Sequence, residues 1–130
     1  MKILVTGIAG FIGCETARAF LKDGHEVIGI DNLNDYYSPK LKRDRLARIP
    51  TERFSFVECS LSDKDTLLRL FKDNSFDIVV NLAAQAGVRY SLINPQSYVD
   101  SNITGFLNIL ECARACPPRH LVYASSSSVY

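Results

Sequence analysis

Along the chain, short runs of β-branched and other apolar residues alternate with longer stretches whose apolar positions recur every three to four residues. This is the pattern of a parallel sheet with helices on its faces. Five strands are predicted, over residues 3–6, 26–30, 54–59, 78–82 and 120–124. All but the third are near-continuously apolar, as strands covered on both faces should be. Helices fit between them over residues 11–22, 40–48, 64–73 and 95–115. The last has the clearest limits: Asn94 can cap it, Pro95 takes its first position, and Pro117 and Pro118 prevent its continuation. Residues 31–39 form the one long connection, and no repeat or linker divides the chain.

With 130 residues, 47% apolar and 22% charged, one core can bury about two-thirds of the unfolded surface, so a single domain is expected. Fifteen Lys and Arg against fourteen Asp and Glu leave a net charge of +1, too little to attract nucleic acid or an anionic membrane surface. Neither is expected as a partner. The N-terminus lacks the basic and apolar segments of a secretory leader, and no apolar run approaches the roughly 18 residues of a membrane span. A cytoplasmic protein is therefore expected, with its four cysteines as free thiols.

The chemistry begins where the first strand meets the first helix, in Thr6-Gly7-Ile8-Ala9-Gly10-Phe11-Ile12-Gly13. A glycine-rich turn at that junction offers the free amides and positive end of a helix to an anion. Gly7 permits the tight turn, Gly10 lets a pyrophosphate approach the backbone, and Gly13 allows close packing of helix on strand. Asp31 ends the second strand, 18 residues past Gly13. Its carboxylate can accept from both ribose hydroxyls of an adenosine and repels a 2′-phosphate, which favours NAD over NADP. The basic residues Lys40, Lys42, Arg43, Arg45 and Arg48 are read as a solvated helix face. Asn102 lies on the apolar stripe Val99, Ile103, Phe106, Leu110 and is expected to be a buried amide with partners.

These features, with Asn81-Leu82-Ala83-Ala84-Gln85-Ala86-Gly87 after the fourth strand and Ser125 to Tyr130 after the fifth, resemble the extended short-chain dehydrogenase/reductase family over the whole chain. Within it, the segments 31–37, 41–46 and 84–91 look most like the UDP-glucuronate 4-epimerase branch. The resemblance implies a Rossmann-type doubly wound parallel sheet of strand order 3-2-1-4-5 and NAD as cofactor. It would place the pyrophosphate at Gly7, Gly10, Phe11, Ile12 and Gly13, the adenosine ribose at Asp31 and Asn32, and the adenine edge at Ser60 and Leu61. Position 60 departs from the family, which usually carries aspartate there. Leu82, Ala83, Ala84 and Gln85 would run beneath the nicotinamide half, with Asn102 ordering the site beside it. Ser126 aligns with the catalytic serine or threonine and would hydrogen-bond the sugar 4-oxygen, while Ser127 and Ser128 would reach the sugar or its carboxylate.

The resemblance also requires a tyrosine with a lysine four residues later, on a helix after the serine. Tyr36 and Lys40 match that spacing but precede Ser126 by about 90 residues and hold Pro39 between them, so they are set aside. Tyr130 has no residue after it. The expectation is an incomplete domain, cut before the sixth strand, the tyrosine helix and the substrate domain, inactive alone and self-associating. A UDP-glucuronate-like nucleotide sugar would be the substrate of the full enzyme. A decarboxylase or dehydratase of the same family, or a non-catalytic NAD-binding domain, remain alternatives. Cys112, Cys116 and His120 lack a fourth ligand for zinc, and no metal is expected. Cys14 is read as packing and His25 as a surface residue.

Overall fold

The computed structural model describes residues 1–129; Tyr130, the tyrosine with no residue after it, lies outside them. Five parallel strands, β1 (Lys2–Thr6), β2 (Glu26–Asp31), β3 (Phe54–Glu58), β4 (Ile78–Asn81) and β5 (His120–Tyr123), form one sheet in the order β3-β2-β1-β4-β5. The helices are α1 (Phe11–Lys22), α2 (Pro39–Ala47), α3 (Lys64–Asn74), α4 (Pro95–Tyr98) and α5 (Gly105–Ala115). This is the doubly wound α/β arrangement expected from the alternating pattern.

Side chains of β1 alternate between the two faces, as strand geometry requires. Leu4 joins Ile28, Leu67, Phe71, Val79 and Ile109 in the core under α3 and α5. Ile3 and Val5 join Cys14, Ala17, Leu21, Val27 and Ile49 in the core under α1 and α2. Thr6 lies opposite Ile30 on one side and Asn81 on the other. The carboxyl ends of β1, β2 and β4 therefore meet where the strand order reverses, the place at which open α/β sheets bind ligands.

Two expectations are corrected. The fifth strand is not covered on both faces: His120, Val122 and Tyr123 are exposed where no described element packs over them, and β5 is an edge strand, pairing only with β4 among the described residues. The helix over residues 95–115 is also not a uniform α-helix, for a π-helical turn, Val99–Thr104, separates α4 from α5. The wider turn rotates the helix surface after it. Leu110 is consequently exposed, whereas Gly105, Asn108, Ile109 and Cys112 face inward; Val99 and Ile103, within the turn itself, are exposed too.

Candidate active site

At the sheet's carboxyl edge, Gly7 adopts φ +71°, a conformation few other residues tolerate. Its amide and that of Ile8 donate to Ile30 O at 2.9 and 3.2 Å, closing the turn onto β2. A Cβ on Gly13 would collide with the Gly7 carbonyl, so α1 can approach the turn this closely only with glycine there. Gly10 is the N-cap of α1 and brings no side chain to the first-turn amides, leaving those of Phe11 and Ile12 for an incoming anion. Apart from the Gly7 carbonyl oxygen at 3.1 Å, no atom outside its chain neighbours stands within 4 Å of a Cβ built on Gly10. The space a side chain would fill there belongs to the cleft.

Asp31 accepts from Ala9 N at 3.1 Å with one carboxylate oxygen and from Leu33 N at 2.8 Å with the other. These bonds tie the glycine turn to the connection after β2, and each oxygen keeps a lone pair for a ligand. The basic residues of α2 do not form a uniformly solvated face. Lys42 is only 7% exposed and donates from Nζ to both Asn34 O and Asn34 Oδ1 at 2.8 Å. Arg45 is half-buried, within 3.4 Å of Ala9 O. Ser38 caps α2 and sets Pro39 as its first residue, which turns Lys42 back over the loop instead of outward.

On the opposite wall, the fully buried Thr6 hydroxyl donates to Asn81 Oδ1 at 2.6 Å and accepts from Leu82 N and Ala83 N at 3.0 Å each. Asn102 completes the hold on this segment: its Oδ1 accepts from Gln85 N at 2.8 Å and its Nδ2 donates to Gln85 O at 3.1 Å. Its partners are those of a structural amide, but Asn102 is exposed, not buried. The buried amide of that helix is Asn108, which donates to Leu61 O at 2.7 Å. Sequence reasoning missed Asn108 because the π turn shifts the inward face.

Gly7, Gly10, Asp31, Asn32, Ser60, Leu61, Leu82, Ala83, Ala84 and Gln85 line one cleft. Asn34, Tyr36, Tyr37, Lys42, Cys59, Ala86 and Ser101 line it too, and were not singled out as binding residues from the sequence. The Ser60 hydroxyl is engaged in its own turn, bonded to Ser62 Oγ at 2.8 Å and to Ser62 N at 3.2 Å. Phe11 and Ile12 are exposed at the start of α1, and Gly13 is buried behind the turn. Ser126, Ser127 and Ser128 lie beyond β5 at the same edge of the sheet, exposed and outside the lining of the cleft, with Ser128 N donating to Ser126 Oγ. Burial raises the Cys14 and Cys59 thiols above their ordinary range, so both stay protonated at neutral pH. Tyr36 sits in the connection before α2, and Lys40 is an exposed residue of that helix.

Comparisons with known proteins agree with this geometry. The chain is 58% identical over 130 residues to Protein CapI of Staphylococcus aureus, matching all of this chain and 39% of that protein. It is 52% identical over 131 residues to UDP-glucuronate 4-epimerase 4 of Arabidopsis thaliana, again over the whole chain and 30% of the relative. The chain thus spans less than half the length of these relatives. The crystal structure of UDP-glucuronic acid 4-epimerase from Bacillus cereus, in complex with NAD, superposes with a TM-score of 0.80 at 34% identity, covering 100% of this chain and 41% of that one. The profile of the NAD dependent epimerase/dehydratase family matches residues 3–130. With a glycine turn, an acidic β2 terminus and a β4 loop meeting at the reversal of strand order, the chain belongs to the NAD dependent epimerase/dehydratase family.

Proposed function

We propose that this chain is the NAD-holding part of a nucleotide-sugar 4-epimerase acting on a UDP-glucuronate-like sugar. The observation that carries the reading is the single cleft in which the glycine turn, Asp31 and the Leu82–Gln85 segment face one another. Relatives named UDP-glucuronate 4-epimerases support the substrate class.

The residues fit a dinucleotide. The Phe11 and Ile12 amides, backed by the α1 dipole, bind the pyrophosphate, and Gly10 leaves it room. Asp31 takes the ribose hydroxyls, Asn32 stands beside it, and Ser60 and Leu61 border the adenine. Leu82 to Gln85 form the wall for the nicotinamide half, held by Thr6 from within and by Asn102 from the helix. NAD bound there supplies a hydride acceptor that can return the same hydride, so the protein contributes positioning and charge. Ser126 would hydrogen-bond the sugar 4-oxygen as it passes between hydroxyl and ketone, with Ser127 and Ser128 toward the sugar carboxylate. We assign the proton-taking role to a tyrosine followed four residues later by a lysine on a helix after Ser126, and not to Tyr36; these 130 residues hold no such pair and should alone turn over no UDP-glucuronate.

Calorimetry of the chain with NAD and NADP tests the reading. NAD should bind more tightly, Asp31→Ala should weaken NAD and narrow its advantage, and Gly10→Val should abolish binding while the circular dichroism of the fold persists. Equal affinities for the two cofactors, or full NAD affinity in Gly10→Val, would refute it.

A further inference from the structure

In the wall from Ala83 to Gly87, Ala83 packs on the core and Gln85 is buried, but the other three residues bring little packing of their own. Ala84, Ala86 and Gly87 are exposed, and Gly87 adopts φ +92°. Thr6 and Asn102 fix only its first half. The second half meets a group of tyrosines. Tyr36 and Tyr37, from the connection after β2, have ring centroids 4.7 Å apart, and Tyr36 lies 4.6 Å from Tyr90, in the 3-10 turn Arg89–Leu92. Tyr90 in turn lies 6.3 Å from Tyr98, the last residue of α4. These separations suit tilted and edge-on aromatic contacts. The Tyr98 hydroxyl shares its proton between Ala86 O, at 3.0 Å, and Gly87 O. A Cβ on Gly87 would strike the Tyr36 hydroxyl. The cluster therefore spans from the loop carrying Asn32 and Asn34 to the loop carrying Ala83 and Gln85, the two banks of the cleft.

We propose that Tyr36, Tyr90 and Tyr98 are positioning residues that fix the Ala83–Gly87 wall before the nicotinamide half of the dinucleotide arrives. This rests on the NAD-binding reading above. A wall left loose would have to be ordered on binding, and that entropy would be subtracted from affinity for the half of the ligand that touches it. The adenosine half, at Asp31 and the glycine turn, would be spared.

The test uses Tyr98→Phe, which keeps the ring and removes the hydroxyl, in the 130-residue chain titrated with NAD and separately with AMP. NAD affinity should fall about three- to tenfold, the worth of one such hydrogen bond, while AMP affinity stays unchanged. Gly87→Ala, which displaces Tyr36 and strains the backbone, should produce a larger fall with the same selectivity. Hydrogen exchange without ligand gives a second readout: amides 84–88 should exchange faster in Tyr98→Phe, and those of β1 and β4 at the wild-type rate. An unchanged ratio of NAD to AMP affinity overturns the proposal and leaves the cofactor reading intact, as does unchanged exchange over 84–88. A wild-type chain that binds neither ligand overturns the cofactor reading and this role with it.

Discussion

Thr6→Val asks most of the structure, because valine nearly matches threonine in shape and removes only the hydroxyl. That hydroxyl is inaccessible to solvent and serves three partners: Asn81 Oδ1 at 2.6 Å, and the amides of Leu82 and Ala83 at 3.0 Å each. A buried polar group stripped of its partner costs about 1–3 kcal/mol. Asn81 is 7% exposed and bears that cost in full, while Leu82 and Ala83 are half-buried and can recruit water for part of theirs. The expected loss is roughly 2–3 kcal/mol, a large share of the ~5–15 kcal/mol that stabilises a typical domain. At about 3–4 °C per kcal/mol for a chain of this size, Tm should fall by roughly 6–12 °C. Thr6→Ser retains the hydroxyl and deletes one methyl, which costs about 1 kcal/mol. Thermal and urea melts followed by circular dichroism should therefore rank wild type above serine and serine above valine. A valine variant as stable as the serine variant would show that the hydroxyl is not the hub joining β1 to the loop after β4.

Acid should weaken the cap of α3. Hydrogen bonds from the Thr66 hydroxyl and the Thr66 amide hold the Asp63 carboxyl below its ordinary pKa, so its contribution to stability is complete above the unfolded value of about 3.9 and fades as pH falls through the lower native one. The Tm gap between wild type and Asp63→Ala should accordingly be constant at neutral pH and close in acid; a gap that widens in acid would refute the sign. The outward face of the helix also predicts association. Ile103 is 64% and Leu107 53% exposed, and Val122 and Tyr123, on opposite faces of β5, are exposed as well, so light scattering across a dilution series should show dimers or larger species that Ile103→Glu dissociates. A strictly monomeric wild type at high micromolar concentration would refute this. Chromatography after incubation with UDP-glucuronate and NAD should find no epimer, and product that disappears in Tyr36→Phe would overturn the rejection of the Tyr36–Lys40 pair.

The features legible in the chain itself are those whose causes are local. Strands β1, β2 and β4 announce themselves by apolar runs, α1 by the glycine turn before it, and α4 by Asn94 as its cap. The glycine turn and Asp31 are legible because their spacing reflects the length of one strand, one turn and one helix. Beyond this range the sequence pattern misleads. Continuous helical periodicity across residues 95–115 puts Asn102 in the core, but the π turn Val99–Thr104 rotates α5 relative to α4, and Asn108 becomes the buried amide, bonded to a carbonyl 47 positions away. Lys42 looks like one of five solvated cations until the loop before α2 folds back and offers it the carbonyl and side-chain oxygens of Asn34. Nor does any local signal bring Tyr36 against Tyr90. Local propensity and periodicity act over about one helical turn or a few strand residues, whereas burial of Lys42, the inward face of α5 and the second bank of the cleft depend on which distant backbone groups need partners. Those partners exist only once the sheet has assembled in the order β3-β2-β1-β4-β5.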